Sequence, residues 1–453
     1  MNYQGKTALV VGMARSGVGA AQLLCQCGAR VIVNDSKRRE ELKGDLSPLD
    51  ALEVTWALGQ PAMALLEGVD VLVLSPGIPD TAPFVKRARE MGIYVIGEVE
   101  LASQLAPGEL AAITGTNGKT TTTTLVAEMV RCGGRRAFAV GNIGDSYAAA
   151  GLESRPEDVM VCEISSFQME TADTFHPRVA ALLNITEDHL NRHGTMEVYT
   201  QMKMRVFANQ TAADVAVFND DDPALKPLTG QVRSRVMRFS RTHEVGEGAF
   251  VRDGIVMLKW AGQETAVLPA ADIYIPGPHN LENALAAVCI ATALEVPVGA
   301  IAETLRTFRG VEHRIEFTRE LDGVIYYNDS KGTNVDSTIR AVQTMTRPTA
   351  IILGGSDKHC DFTPLVREML ASGQIREAVL IGVTADQIER TLRENGYNAI
   401  HRAGTLQEAV ETCRRLASPG WNVLLSPACA SFDMFQDYEQ RGRIFKEIVR
   451  ALV

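Results

Sequence analysis

No stretch of this 453-residue chain stays apolar for the roughly 18–20 residues that a membrane span requires. The amino-terminal run Met1-Asn2-Tyr3-Gln4-Gly5-Lys6 leads straight into a predicted strand and lacks the long apolar core of a signal peptide. A cytoplasmic protein is expected. Basic charge is short as well: 45 lysines and arginines against 55 aspartates and glutamates give a net charge of −10, and no concentrated basic face of the kind that holds nucleic acid is visible. The eight cysteines are scattered, with neither paired metal spacing nor the density of a disulfide framework, and read as reduced, buried thiols. Cys25 and Cys27 fall on opposite sides of a predicted helix turn, which disfavours chelation. Low-complexity linkers and short repeats are missing too. The glycine loop Gly12-Met13-Ala14-Arg15-Ser16-Gly17 does not fit G-x-G-x-x-G, so a dinucleotide redox cofactor is disfavoured.

What is present is an ordinary globular composition, 46% apolar and 22% charged, in a chain too long for one hydrophobic core. Three α/β domains are expected. From Thr7 to about Gly97 the apolar runs TALVVG, VIVND, DVLVLSP and YVIG alternate with helical stretches near Gly17–Cys27 and Phe84–Met91, the pattern of a Rossmann-like parallel sheet covered on both faces. A central domain, 98–310, opens with LAAIT, a glycine-rich loop and a helix from Thr120 to Cys132 that Gly133-Gly134 ends. VMVCEIS, VAALLNIT and DVAVFND continue it, 248–275 reads as a β-meander, and a helix from Asn280 to Leu294 closes it. The third domain, 311–453, carries VIYYND, AIILGG, AVLIG and NVLLSP, another Rossmann-like sheet. Ligands of such sheets bind beyond the carboxyl ends of strands, where Ser75-Pro76-Gly77, Asp329-Ser330-Lys331, Gly354-Gly355-Ser356 and Ser426-Pro427 all fall.

The strongest chemical signal is Gly115-Thr116-Asn117-Gly118-Lys119-Thr120, set between a buried strand and a helix. Backbone amides at glycines can approach phosphate oxygens, the helix amino terminus adds partial positive charge, Lys119 can reach terminal phosphates and Thr120 can hold magnesium. The pattern is short of the full G-x-x-x-x-G-K-[ST], because Ile113 stands at the first glycine position. A nucleotide loop needs a metal-binding carboxylate, and Glu163, at the end of VMVCE, is the first candidate. His189, after another buried strand, could add a metal position. Magnesium prefers oxygen, however, and a lone histidine is more often structural.

Seven segments then bear on the identity: ITGTNGKTTTTTL, NITEDHLNRHG, GPHNLENALAA, EHRIEF, NDSKGTN, GGSDKHCDF and SPACASFDMFQDYEQRG. In this order, across all three domains, they resemble the Mur ligases of peptidoglycan synthesis. SFDMFQDYEQRG most favours the D-glutamate-adding branch. The resemblance implies that Gly115, Thr116, Asn117, Gly118, Lys119, Thr120 and Thr121 bind ATP, that Asn280 and Asn283 meet the adenine, and that Arg314 and Asp329 contact phosphate and ribose. It makes Thr120, Glu163 and His189 ligands of magnesium, two ions in all, with Lys203 carbamylated to support the second. Lys119, His189, Lys203 and Lys331 would be the catalytic set. Arg15, Ser16, Asp35, Ser36, Lys37, Ser75 and Gly77 would hold the UDP end of the substrate and Asn142 its muramoyl-peptide end. Thr333, Lys358, Ser431, Phe432 and Tyr438 would hold D-glutamate. Tyr438 stands where the family often shows Phe.

The activity implied is ATP-dependent amide formation: UDP-N-acetylmuramoyl-L-alanine is activated as an acyl phosphate and joined to D-glutamate, in a monomer. Because the loop and the amino-acid residues fall on different domains, closure of the third domain on ligand binding is expected. A folylpolyglutamate synthetase-like ligase would share the loop and the domain plan, but the uridine candidates of the first domain argue against it. A non-enzymatic nucleotide switch leaves the carboxylate, lysine and histidine set unexplained, and a dehydrogenase lacks its glycine fingerprint.

Overall fold

The computed structural model describes residues 1–42, 44–356 and 360–453, and of Asn191 only the backbone. Lys358 therefore lies outside the described residues. The strands form three sheets. The first contains β1 (Thr7–Val11), β2 (Arg30–Asp35), β3 (Val54–Leu58), β4 (Val71–Leu74) and β5 (Tyr94–Gly97), all parallel in the order β3-β2-β1-β4-β5. Its two faces are covered by separate apolar clusters, one around Val10, Val33 and Leu24 and one around Leu9, Leu72 and Val85. That double cover is why its strands read as continuous apolar runs.

The second sheet runs through β6 (Glu109–Thr114), β7 (Ala137–Gly141), β8 (Val159–Glu163), β9 (Val179–Leu182), β10 (Val215–Asn219), β11 (Arg235–Ser240), β12 (Gly248–Arg252), β13 (Ile255–Trp260) and β14 (Gln263–Pro269). The order is β14-β13-β12-β11-β10-β9-β6-β8-β7. Only the β12–β13 and β13–β14 pairings are antiparallel. The meander expected at 248–275 is thus an extension of the sheet itself, because β12 pairs in parallel with β11. β6, which leads into the glycine-rich loop, is flanked by β8 and β9, so the chain reverses around it and a crevice opens at its carboxyl end.

Both sheets belong to one compact unit, 1–274 with 281–308, and 275–280 with 309–453 form a second. Within the first unit the two sheets are tied without a flexible linker. The helix Arg15–Gln26 lies against Tyr147–Gly151 so closely that a Cβ at Gly19 would sit 2.5 Å from Ser146 Oγ and 2.9 Å from the Ala149 nitrogen. The helix Glu98–Leu105, directly after β5, carries two buried carboxylates. Glu100 accepts backbone N–H groups from Asp173 (3.0 Å), Thr174 (2.8 Å) and Phe175 (3.0 Å), and also the Gln104 amide at 2.6 Å. Three successive amides on one carboxylate clamp that loop to the helix. Glu98 accepts from the Ala148 nitrogen at 2.6 Å through Oε1, while its Oε2 is buried without a hydrogen-bond partner.

The second unit holds β15 (Glu316–Leu321), β16 (Val324–Asn328), β17 (Thr349–Leu353), β18 (Ile375–Leu380), β19 (Ile400–Arg402) and β20 (Asn422–Leu425), ordered β15-β16-β20-β17-β18-β19. All pairings are parallel except β15 with β16. β15 and β19 were not anticipated. The first has no buried residue and carries three charged side chains, and the second is three residues long, so neither shows a buried apolar run. No helix of the described residues is long and apolar enough to cross a membrane.

Burial pushes the Glu98 carboxyl up from its usual 4.5 to about 7, against the pull of the Ala148 and Tyr147 amides. A carboxyl whose pKa is higher folded than unfolded binds more proton in the native state between those two values. Its contribution to stability therefore falls as pH rises from about 4.5 to about 7 and stays low above that, by on the order of 1–3 kcal/mol. Glu98→Gln is neutral at every pH, so its melting temperature relative to the parent should climb between pH 5 and pH 8. A difference that stays flat over that range would count against the assignment.

Candidate active site

The glycine-rich loop occupies the carboxyl end of β6. Gly118, at φ +84°, caps the helix Lys119–Cys132, and a Cβ there would lie 2.3 Å from Asn283 Oδ1, so position 118 admits no side chain for two reasons. The loop is held from the side by the segment after β9. Asn184 accepts from the Asn117 nitrogen at 2.9 Å and donates to the Asn117 carbonyl at 3.0 Å, and its own carbonyl accepts from the Thr116 nitrogen at 3.0 Å. Thr116 Oγ1 adds bonds with the Thr186 nitrogen and carbonyl at 3.0 and 3.1 Å and with the Tyr199 hydroxyl at 3.2 Å.

Two ammonium groups converge on this loop. Lys119 Nζ donates to the Gly115 and Thr116 carbonyls at 2.9 and 2.6 Å, and Lys203 Nζ donates to Gly115 at 2.7 Å. Lys203 is 1% exposed and sits 4.5 Å from the centre of the Tyr199 ring. Burial, reinforced by the neighbouring Lys119 charge, holds its amine well below the usual lysine range, and Asp188 and Glu163 pull the other way. Lys203 is thus a buried side chain and not a solvated helix lysine.

Glu163 ends β8 in register with Ile113 of β6. Its Oε1 accepts the Asn142 amide at 3.0 Å, while Oε2 is buried with no hydrogen-bond partner. An orphaned carboxylate oxygen beside a phosphate-type loop and the buried Thr120 fits the donor set of a hard divalent cation. His189 adopts φ +57° as the cap of the turn Leu190–His193, half exposed, with its ring 4.8 Å from Phe167 and its Nε2 3.5 Å from Asp188 Oδ2. Thr121 is buried in the first turn of the loop helix.

At the carboxyl ends of the first sheet, Asp35 accepts from the Met13 and Lys37 nitrogens at 2.9 and 3.0 Å, and Ser75 Oγ donates to the Gly12 carbonyl at 2.8 Å. These two candidates therefore shape the glycine turn. Arg15 reaches the Gly144 carbonyl at 3.1 Å; Ser36, Lys37 and Gly77 are exposed and Ser16 is half-buried.

In the second unit, Asp329 is buried, accepting from the Ile315 nitrogen (3.2 Å) and Ser426 Oγ (2.7 Å). Burial raises its carboxyl to about 6 although Arg314 draws it down. Lys331 Nζ lies 5.4 Å from the Tyr438 ring, which gives the tyrosine a cation–π partner. The Thr333 nitrogen donates to the Lys331 carbonyl at 2.8 Å, Ser431 is buried, and Phe432 is 73% exposed. Asn280 Nδ2 donates to Pro276 at 2.7 Å in the first turn of Pro278–Ala293, which also carries Asn283.

Sequence reasoning passed over Arg441, although it lies in the EQRG segment. Its guanidinium, 1% exposed, donates to Ser330 Oγ (2.9 Å), the Ser330 carbonyl (2.8 Å) and the Cys429 carbonyl (3.2 Å), tying the 329–331 and 428–431 loops together. Asn184 was missed in the same way. Both stand inside recognised motifs, and their roles depend on backbone partners far away in the chain.

Residues 6–97 match the family profile of the Mur ligase MurD-like N-terminal domain, 113–291 the Mur ligase middle domain, and 313–429 the Mur ligase glutamate ligase domain. Over 454 aligned residues, covering all of both chains, the sequence is 44% identical to a protein of Thermoanaerobacter sp. (strain X514) named UDP-N-acetylmuramoylalanine--D-glutamate ligase. The chain belongs to the Mur ligase family. A protein of the same name from Clostridioides difficile (strain 630) is 43% identical, again over all of both chains. Among solved structures, the fold of this Mur ligase is similar to UDP-N-acetylmuramate-alanine ligase from Thermotoga maritima, with a TM-score of 0.62 and 18% identity over 98% of this chain and 99% of that one. It is also similar to the MurF ligase of Thermotoga maritima in complex with ADP, with a TM-score of 0.60 and 16% identity over 99% and 95%.

The Asn184 side chain bonds both the nitrogen and the carbonyl of Asn117, so Asn184→Ala strips the loop of two buried bonds at about 1–3 kcal/mol each. Nucleotide affinity of this Mur ligase, measured by calorimetric titration, should fall at least about ten-fold. Undiminished affinity would show that the loop keeps its shape without them.

Proposed function

We propose that the chain joins D-glutamate to UDP-N-acetylmuramoyl-L-alanine with conversion of ATP to ADP and phosphate, as a cytoplasmic step of peptidoglycan precursor synthesis. The observation that carries this reading is the end-to-end similarity to proteins named for that reaction, 44% and 43% identical over all of both chains. The geometry around the loop supports it: two lysines and an orphaned carboxylate oxygen surround a backbone shaped for phosphate.

The substrate carboxylate attacks the γ-phosphorus, and ADP leaves as an acyl phosphate forms. The D-glutamate amine then attacks the acyl carbon, loses a proton, and expels phosphate as the tetrahedral intermediate collapses to the amide. Catalysis rests on positioning and on charge that needs no reorganisation. Lys119 neutralises the β,γ-phosphates and Lys331 the migrating phosphoryl group. Thr120, Glu163, His189 and a carbamylated Lys203 would hold two magnesium ions, which supply Lewis-acid charge neutralisation when bound. Asn142, through its bond to Glu163, keeps that carboxylate turned toward the loop. Arg15, Ser16, Asp35, Ser36, Lys37, Ser75 and Gly77 serve the UDP end, Asn280, Asn283, Arg314 and Asp329 the nucleotide, and Thr333, Lys358, Ser431, Phe432 and Tyr438 the amino acid. The protein works as a monomer.

Phosphate release from ATP should require both UDP-N-acetylmuramoyl-L-alanine and D-glutamate, with L-glutamate and folate failing as substitutes. Release with any other pair, or without an amine, sinks the reading. Lys119→Ala should cost at least about 10²-fold in turnover.

Burial lowers the basicity of Lys203, the direction that favours the unprotonated amine, which is the form that adds carbon dioxide. Enzyme equilibrated with ¹³C-bicarbonate should show a carbamate carbon resonance that Lys203→Ala abolishes; a resonance that survives in the variant belongs elsewhere.

A further inference from the structure

Arg192 is the residue whose contacts the reaction leaves unexplained. It lies on the one-turn helix Leu190–His193 that His189 caps, and its side chain turns away toward the first sheet. The guanidinium forks onto Glu170, Nε to Oε1 at 2.9 Å and Nη2 to Oε2 at 2.5 Å, with both side chains less than one-fifth exposed. Its far edge donates to the Ile78 carbonyl at 3.3 Å and approaches the Pro76 carbonyl at 3.5 Å, the backbone that follows β4. Its face covers the Phe167 ring at 4.4 Å, and that ring in turn lies 4.8 Å from the His189 ring. One planar cation thus touches the loop 75–78, the turn after β8 and, through Phe167, the histidine of the metal set.

We infer that Arg192 is a positioning residue for the known reaction: it fixes the loop 75–78 to the His189 turn, so that the end of the substrate held by the first sheet and the carboxylate to be phosphorylated are set at one distance. The inference rests on the proposed use of Ser75 and Gly77 for the UDP-substrate. Only a guanidinium can serve all the contacts at once. A lysine keeps the charge and can meet Glu170, but it has no fork and no flat face with which to reach the carbonyls and cover Phe167 together. Loop position matters because a misplacement of about 1 Å at a reacting centre can cost about 10²-fold in rate. Glu170 holds the guanidinium in place, and Arg205 secures Glu170's own strip of chain by donating to the Glu170 carbonyl at 3.5 Å and to that of Ala172.

The test is Arg192→Lys, with Glu170→Gln as the companion that loosens the same fork from the other side. In the complete ligase assay both variants should raise KM for UDP-N-acetylmuramoyl-L-alanine at least about ten-fold and leave KM for ATP within about two-fold. Amide hydrogen exchange of the ligand-free protein should quicken in peptides covering 75–78 and stay unchanged in those covering 115–120. Equal rises in KM for every substrate, or a lowered melting temperature with unaltered KM values, would reduce Arg192 to a structural role and overturn the inference, as would unchanged exchange at 75–78. Should Arg192→Lys fail to fold, Glu170→Gln carries the same readouts. Should the unaltered enzyme fail to turn over the UDP-substrate, the functional reading falls, and the exchange measurement alone decides whether Arg192 holds the loop.

Discussion

The bond pair between the Asn184 side chain and the Asn117 peptide is the constraint on which the site depends. A phosphate-binding loop must keep its amides turned outward, so its inner edge has to be held. Here the chain following β9 does this with an amide that both donates and accepts, at 3.0 and 2.9 Å. The parallel register of β9 with β6 places that amide beside the loop, and the same sheet order puts Glu163 of β8 on the other flank. A strand order with β6 at an edge would lose one flank or the other.

Around this core the protein accepts several unfavourable burials. Glu98 and Asp329 are held with raised pKa values, Lys203 with a lowered one, and Arg441 is pushed down to about 10 by desolvation. Three of them lean on backbone partners, Ala148 for Glu98, Gly115 for Lys203, and Ser330 and Cys429 for Arg441, while Asp329 is drawn down chiefly by the Arg314 charge. Charges satisfied by peptide groups fix the course of loops, because a carbonyl or amide cannot turn aside without moving its chain.

Much of this architecture was legible beforehand. Continuous buried strands such as VMVCE and VAAL, the loop at Gly115 and the meander after Gly248 announce themselves by pattern. The seven ordered segments carried the family and the chemistry. What stayed hidden falls into two kinds. β15 and β19 lack an apolar run, since they are a charged edge strand with no buried residue and a three-residue piece. Asn184, Arg192, Arg441, Glu98 and Glu100 look like ordinary polar residues, because their partners are backbone atoms and, for Arg192, also the Glu170 carboxylate and the Phe167 ring, at separations that no spacing rule connects. Lys203 lies between these cases: resemblance pointed to it, while its 1% exposure and the nearby Lys119 charge, which lower its basicity, show only in the folded chain.

The clamp of Glu100 on the amides of 173–175 has a bearing on how such chains can be recombined. In sequence the first domain closes at Gly97, which makes 97/98 look like a natural seam for exchanging whole domains between relatives. Mechanically, the helix Glu98–Leu105 belongs to both sides: it continues from β5 yet holds the chain beyond β8 by three peptide groups, and Gly19 meets Ser146 with no room for a methyl group. A chimera joined at that seam inherits two surfaces shaped for different partners. The unit to carry over whole is therefore the pair of sheets together.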